Sequence, residues 1–362
     1  MNSSESPSTQ VERAFALTEC LSLQPMIDFL VERLGFRLER ISPADDPQEA
    51  EVVGAGLRLL VRRRSEAGAL NPGGPLRVVC SDPAAAGLPA GELTAPNGLR
   101  VEVVEPEGPL TVPALRPQTV VSRAGDDWIT GRAGMSYRDL IPGRLGGHSI
   151  ASNIRVEQAG PVPDYVHYHA IRFQMIYCSK GWVRLVYEDQ GEPFVLEAGD
   201  CVLQPPEIRH RVLESSAGLE VVEIASPARH DTFVEHAMEL PNGTINPDRE
   251  FSGQRFVRSQ SQDAVWLAEP DAEGFTRRSL GIHEATRGIA SADLIRAPKG
   301  ATRTWRHGDE LGMLYVTSGV VRLGGIESIA TDLGPNDSLV LPANVDLTLT
   351  ATEATEYLEV RA

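Results

Sequence analysis

Two stretches decide the fold: GPVPDYVHYHAIRFQMIYCSKG (Gly160–Gly181) and GDCVLQPPEIRH (Gly199–His210). His167 and His169 are two residues apart, so on a strand both imidazoles point to the same face. His210 follows a Pro-Pro turn and joins them if the strands close into a barrel. Three neutral imidazoles that face one point predict a site for a divalent transition metal, with coordination positions left open for a substrate.

Two polar residues near this motif are candidates for catalysis. Gln174 follows a turn after His169, and the neighbouring strand can bring it beside the histidines. An amide oxygen is a weak ligand for transition metals, so we favour a role in which Gln174 orients a substrate or dioxygen by hydrogen bonding. Arg172 lies in the turn between the two strands, where it either clamps a substrate carboxylate or is solvated. From Gln174, strand alternation predicts that Ile176 and Cys178 point inward and that Tyr177 points outward.

The region around the motif is repeated later in the chain. Ser149–Tyr187 aligns with Gly288–Leu323, and each copy has an Ile-Ala-Ser strand start, a His-bearing strand and an apolar strand. The copies continue into Gly199–Pro205 and Asn336–Pro342. Repetition at this period predicts duplicated domains.

The second copy lacks most of the metal-binding pattern. His307 matches His169, but the other three positions carry different residues: Trp305 for His167, Gly312 for Gln174 and Leu347 for His210. One imidazole cannot hold a metal by itself, so the second copy is predicted to be structural or interfacial.

Both motifs resemble those of the cupin superfamily, G-x5-H-x-H-x3,4-E-x6-G and G-x5-P-x-G-x2-H-x3-N. The match departs in three places: six residues precede His167, Gln174 replaces the glutamate, and Pro205-Pro206-Glu207 replaces P-x-G. The resemblance implies a mainly β protein with two cupin barrels, of which the first alone has a complete metal site.

The N-terminal part has a different pattern. A helix is predicted over Pro25–Gly35, with Met26, Phe29, Leu30 and Leu34 on one face, and strand-like runs follow. The predicted strands are Phe36–Ile41, Glu51–Val53, Leu57–Val61 and Leu99–Val104.

The stretches DFLVERLGFRLERISPADDP (Asp28–Pro47) and APNGLRVEVVE (Ala95–Glu105) resemble a small α+β (βαβββ) module of the glyoxalase/bleomycin-resistance, or vicinal oxygen chelate, family. Glu102 falls where that family places a carboxylate ligand. No histidine precedes His148, however, so we expect a structural or dimerisation module without a metal.

These patterns predict six segments along the chain. They are a disordered tail (1–10), a glyoxalase-like module (11–107), a linker (108–125), the metal-binding barrel (126–235), a connecting segment (236–274) and the metal-less barrel (275–362). His230 and His236, which follow the first barrel motif, are predicted to be surface residues.

Composition excludes several classes of partner. The net charge is −16 and the longest basic run is Arg62-Arg63-Arg64, so nucleic acid is not expected to bind. No apolar stretch reaches the roughly 18 residues of a membrane span. The N-terminus lacks the apolar segment of a signal peptide, and the four cysteines have no paired spacing. We expect a cytoplasmic homo-oligomer, with a dimer favoured, that acts on a small molecule.

The leading hypothesis for function follows from the cupin resemblance. Cupins with three histidines and no glutamate include thiol, diketone and gentisate-type dioxygenases, which implies Fe(II) and dioxygen acting on a small anionic, dicarbonyl or phenolic substrate. Manganese, nickel, zinc and copper are possible at the same ligands. One alternative is a redox-neutral lyase or isomerase that uses the metal as a Lewis acid. The other is a ligand-binding cupin without turnover.

Overall fold

The computed structural model describes residues 14–43, 46–64, 71–89, 91–106, 108–131, 134–325 and 331–362. The predicted tail, 1–10, lies outside the described residues. The chain divides into two units, Met1–Pro109 and Leu110–Ala362. No helix in the described ranges is long and apolar enough to cross a membrane.

The first unit contains a four-stranded sheet and one helix in the predicted βαβββ order. The sheet order is β1-β4-β3-β2, and β1 runs parallel to β4. The elements are β1 (Ala16–Cys20), α1 (Leu23–Asp28), β2 (Arg37–Ser42), β3 (Glu49–Gly54) and β4 (Leu57–Arg63). Helix α1 continues as a π-helical turn over Phe29–Arg33 and buries Met26 and Leu30 against the sheet. The predicted helix is therefore confirmed, but it begins at Leu23.

A second, three-stranded sheet follows in the same unit, and two of its strands were not predicted. Its strands are β5 (Leu76–Val79), β6 (Gly91–Thr94) and β7 (Arg100–Val104), in the order β5-β7-β6. The parallel β5–β7 pair repeats the β1–β4 relation of the first sheet. The Glu102 side chain on β7 is 55% exposed and lies 3.8 Å from Arg77.

The second unit begins with a barrel made of two antiparallel sheets. The larger sheet consists of β9 (Ile129–Thr130), β10 (Ser136–Asp139), β11 (Ile150–Val156), β14 (Phe173–Lys180), β17 (Cys201–Leu203), β19 (Leu219–Ser226) and β23 (Val257–Ser259). The smaller sheet consists of β12 (Gly160–Pro161), β13 (His167–His169), β15 (Trp182–Tyr187), β16 (Phe194–Glu197), β18 (His210–Ser215) and β20 (Thr232–Val234). Short 3-10 turns at Arg144–Gly147 and Ser261–Asp263 and a hairpin of β21 (Glu250–Phe251) and β22 (Gln254–Arg255) complete this part.

A second barrel with the same two-sheet plan follows. Its larger sheet consists of β8 (Val120–Ser122), β24 (Leu267–Ala268), β25 (Thr276–Ser279), β26 (Ser291–Ala297), β28 (Gly312–Ser318), β31 (Ser338–Leu341) and β33 (Thr355–Arg361), with α2 (Ile282–Ala285) before β26. Its smaller sheet consists of β27 (Thr302–Trp305), β29 (Val321–Gly324), β30 (Asp332–Leu333) and β32 (Leu347–Ala351). The predicted mainly β fold with two cupin barrels is confirmed.

The two barrels pack against each other through the outer faces of their larger sheets. Phe173, Met175 and Tyr177 of β14 contribute to this shared core, together with Met313 and Tyr315 of β28. Tyr177 thus points out of its barrel, as alternation predicts, yet it is only 2% exposed because the second barrel covers it. Strand β8, which precedes the first barrel in the chain, pairs with β31 of the second. The segment predicted as a linker therefore supplies a strand to the second barrel.

Candidate metal centre

The structure brings His167, His169 and His210 together inside the first barrel. His167 of β13 lies directly opposite His210 of β18 in the strand register. One nitrogen from each ring lies within 4.8 Å of the other two. Within the described ranges, no other set of three histidine, cysteine or acidic side chains is grouped this closely. His167 and His210 are buried, while His169 is half-buried.

Each imidazole is oriented by a hydrogen-bond partner at Nδ1. His167 Nδ1 lies 2.8 Å from the Tyr165 carbonyl oxygen, and His210 Nδ1 lies 3.0 Å from the Ile208 carbonyl oxygen. A carbonyl can only accept, so these contacts place the proton on Nδ1 and indicate Nε2 as the candidate ligand atom. His169 Nδ1 has the Thr232 hydroxyl at 2.8 Å. Three pre-oriented, neutral nitrogen donors fit a divalent transition metal.

The barrel encloses a cavity of about 260 Å³ above the histidines, which we call the lumen. Most of its wall is apolar and comes from both sheets: Met135, Ile150, Ile154, Val156, Val162, Ile176, Val183, Leu185, Val212, Leu219 and Val221. Its polar lining includes two glutamines and two acids besides the histidines. Neither lysine nor arginine lines the lumen in the described part of the chain. Such a site suits a small ligand with an apolar body and few polar atoms.

Gln174 and Gln204 stand side by side in the wall of the lumen. The Gln204 backbone N–H donates to the Gln174 carbonyl at 2.9 Å, so the two residues occupy neighbouring strand positions. Gln174 is 3% exposed and Gln204 is 1% exposed. The sequence predicted Gln174 beside the histidines, whereas Gln204 was missed. The alternation of side chains along Cys201–Gln204 could have identified Gln204, because Val202 and Gln204 share the inward face.

Two carboxylates that no sequence motif marked also line the lumen. Glu223 of β19 pairs in register with Ile176, the next inward residue after Gln174. Asp164 is buried, accepts the Val212 backbone N–H at 2.9 Å and lies 3.7 Å from His167 Nδ1. An acidic residue on a strand is usually solvated. Only the position of Glu223 on the inward face of β19 distinguishes it from such surface residues.

Arg172 does not line the lumen. Its guanidinium lies 3.4 Å from a Glu310 carboxylate oxygen of the second barrel. The same oxygen lies 3.0 Å from Nε2 of the buried His148. The hydrogen bond with His148, followed by that with Arg172, holds the pKa of Glu310 below its usual value. Arg172 therefore contacts a carboxylate of the protein itself. A catalytic role for Arg172 stays a prediction.

Three other expectations near the site have mixed outcomes. His236 is exposed, as predicted for a surface residue. His230 is half-buried and lines the lumen, with its ring 5.5 Å from that of His169, because the chain returns alongside β13 as β20. The surface prediction for His230 is therefore wrong. Cys178 lies in the barrel core, where burial raises the pKa of its thiol to about 12. It lies outside the group of possible metal ligands and packs as a small core residue.

The equivalent position in the second barrel is filled by side chains. Trp305 lies opposite Leu347 in the register, as His167 lies opposite His210 in the first barrel. The His307 ring covers Gly312 so closely that a Cβ there would lie 2.1 Å from His307 Nε2. Both nitrogens of that ring lie 3.1 Å from backbone carbonyl oxygens. Each ring nitrogen of His307 thus lies against a backbone carbonyl, and the absence of a metal from the second barrel stays a prediction.

Comparisons with known proteins give distant likenesses. No protein-family model matches the chain, and no curated protein matches it. Among solved structures, oxalate decarboxylase from Bacillus subtilis at pH 4.6 is 15% identical over 67% of this chain and 75% of that chain, with a TM-score of 0.48. The Lactobacillus farciminis oxalate decarboxylase formate complex is 15% identical over 67% and 85%, with a TM-score of 0.49. Procruciferin, an 11S globulin from Brassica napus, is 13% identical over 68% and 84%, with a TM-score of 0.48. Likeness at this level leaves activity and substrate undetermined.

Proposed function

We propose that the chain is a metal-dependent enzyme that catalyses a redox-neutral reaction, of the lyase or isomerase type, on a small substrate with an apolar body. One observation carries the proposal. Three oriented imidazoles open onto an apolar lumen whose wall also holds the carboxylate of Glu223. A metal site beside a carboxylate provides the two groups that proton-transfer chemistry at a carbonyl substrate requires.

A divalent metal held by His167, His169 and His210 would supply Lewis acidity toward a substrate oxygen. The proton transfer and the orientation of the substrate use side chains of the protein itself. Glu223 accepts a proton from the substrate and returns it at another position. The amides of Gln174 and Gln204 orient the substrate by hydrogen bonding. The apolar wall excludes water, which strengthens each of these polar interactions.

The charge of the lumen narrows the substrate class. A divalent metal on three neutral histidines would offer two positive charges, but the described lining adds the Asp164 and Glu223 carboxylates and neither lysine nor arginine, so a substrate with two negative charges would bring an excess of negative charge into the lumen. A neutral or singly charged carbonyl compound with an apolar remainder fits the wall better. We therefore favour an enolisable ketone or a related carbonyl compound over a small dianion.

The iron dioxygenase remains a second candidate because of one specific feature. The cupin glutamate is replaced by Gln174, so the three ligands that face the lumen are all neutral. With a metal bound, such a set would leave more coordination positions and more positive charge at the metal than a set with a carboxylate would. This arrangement is suited to binding substrate and dioxygen together.

The test measures proton exchange and oxygen consumption on the same preparations. The full chain is loaded separately with Fe(II), Mn(II) and Zn(II) and incubated with a panel of 1,3-diketones and aryl ketones. Deuterium incorporation is followed by NMR under anaerobic conditions, and oxygen uptake is followed with an electrode in air. We expect exchange or bond cleavage without oxygen uptake, and its loss in Glu223→Gln.

The matched control is Glu214→Gln, because Glu214 lies on β18 of the same barrel but outside the lumen, where its side chain is 42% exposed and pairs with Arg184. This control should retain activity. Stoichiometric oxygen uptake with Fe(II) alone, unaffected by Glu223→Gln, would favour the dioxygenase.

A further inference from the structure

Gln204 is a buried amide that lacks hydrogen-bond partners. Its side chain is 1% exposed, and neither Oε1 nor Nε2 has a partner among the described residues. Buried polar atoms are nearly always hydrogen-bonded in folded proteins, so an unpartnered pair calls for an explanation. Because Gln204 lines the lumen, a bound ligand can supply the missing partners.

The neighbouring amide extends this polar patch. Gln174 faces the same lumen from the adjacent strand, and its amide makes no side-chain hydrogen bond with Gln204. The two amides together present carbonyl oxygens as acceptors and NH2 groups as donors. We call Gln174 and Gln204 the amide pair.

The chemistry of the amide pair points to a neutral ligand group that both donates and accepts. A carboxylate could use only the NH2 groups and would leave the carbonyl oxygens unpaired, with Glu223 in the same wall and neither lysine nor arginine among the described lining residues. An ammonium could use only the carbonyl oxygens. A primary carboxamide satisfies both kinds of atom, and it can form two parallel hydrogen bonds with one glutamine side chain.

We propose that the amide pair is the specificity site of the lumen and that it recognises a substrate with a carboxamide group. This inference rests on the proposed function, since it names the substrate class of the same site. The apolar remainder of the substrate would lie against Ile176 and the other apolar wall residues. Gln204 acts here by binding the substrate.

The test compares two probes of nearly equal size, benzamide and acetophenone, which differ in the NH2 group. Their affinities for the zinc-loaded full chain are measured by ligand-observed NMR titration. We expect benzamide to bind about 10-fold more tightly than acetophenone. Gln204→Leu should weaken benzamide about 30-fold and acetophenone about 3-fold, because benzamide loses two hydrogen bonds to Gln204 and acetophenone, which has only the carbonyl acceptor, loses one.

The control is Gln260→Leu, because Gln260 lies outside the lumen. Replacing a buried amide that has no partner by an apolar side chain should not lower the unfolding temperature of the free protein. If Gln204 is a structural residue instead, Gln204→Leu will lower that temperature and weaken both probes equally. Either that result or equal affinity of the wild type for both probes would overturn the inference.

The zinc content of Gln204→Leu and its proton exchange on ketones are measured alongside. Absence of an amide preference, with proton exchange retained, would refute this inference and leave the proposed function standing. Absence of exchange in the wild type, with the amide preference present, would refute the proposed function instead.

Discussion

Replacing Thr232 by valine tests how the metal centre is supported. His167 and His210 are oriented by backbone carbonyls, which no side-chain substitution removes. His169 is different, because its Nδ1 partner is the Thr232 hydroxyl at 2.8 Å. Valine has nearly the shape of threonine but cannot accept the Nδ1–H. Thr232→Val therefore removes one support of the centre and leaves all three ligands in place.

The expected loss of metal affinity can be estimated from this geometry. Removing the outer hydrogen-bond partner of a ligating histidine costs about 10–100-fold in metal affinity, or about 1.4–2.7 kcal/mol. Thr232 is exposed, so water can take over part of the hydroxyl's role. We therefore expect a value near 10-fold.

The assay is a competition titration of Zn(II) against a chromogenic chelator, with far-UV circular dichroism to verify folding. Thr232→Ser keeps the hydroxyl and should bind zinc within about 2-fold of the wild type. If Thr232→Val binds zinc as tightly as the wild type, or if Thr232→Ser loses as much affinity as Thr232→Val, the Thr232 hydroxyl does not support the metal centre.

Two further predictions concern the second barrel. Gly312→Ala should lower the free energy of unfolding by about 1–3 kcal/mol, because the added Cβ meets the buried His307 ring at 2.1 Å. His307→Ala in the same chain should recover part of that loss in urea denaturation, and no loss in the single variant would contradict the packing. Burial raises the pKa of Asp293 from 3.8 to about 6. The native state therefore binds this proton more tightly than the unfolded state does, and stability falls as pH rises from about 4 to 6. Asp293→Asn should stabilise the fold by about 1–2 kcal/mol at pH 8 and by nearly nothing at pH 3.5, because the lost Arg277 contact and the partial exposure of Asp293 offset part of the gain from removing the buried charge. If Asp293→Asn is less stable than the wild type at pH 8, this prediction is contradicted.

The sequence could predict the residues whose position follows from local spacing. His167 and His169 share a strand face by alternation, and the Pro-Pro turn before His210 sets that residue on the opposing strand. Trp305 and Leu347 in the repeat could be predicted to replace His167 and His210 for the same reason. The structure places each of these residues in the predicted register.

Features that depend on what lies across a sheet could not be predicted. Alternation gave the outward direction of Tyr177, but no local pattern shows that a second barrel covers it. The return of the chain as β20, which brings His230 to the lumen, is likewise a long-range event. Strands β5 and β6 are only four residues long and are flanked by glycine and proline, so their pattern was too short to recognise. Glu223 and Gln204 could have been predicted from alternation, because each points inward from an apolar stretch of sequence.

The number of metal ions bound per chain tests most directly whether the first barrel holds a single three-histidine centre. The wild type, His167→Ala/His210→Ala and His307→Ala are saturated with Zn(II), desalted and analysed by inductively coupled plasma mass spectrometry. We predict one zinc per chain in the wild type, nearly none in the double variant and one in His307→Ala. Two zinc ions per wild-type chain, or a full load in the double variant, would contradict a single three-histidine centre in the first barrel.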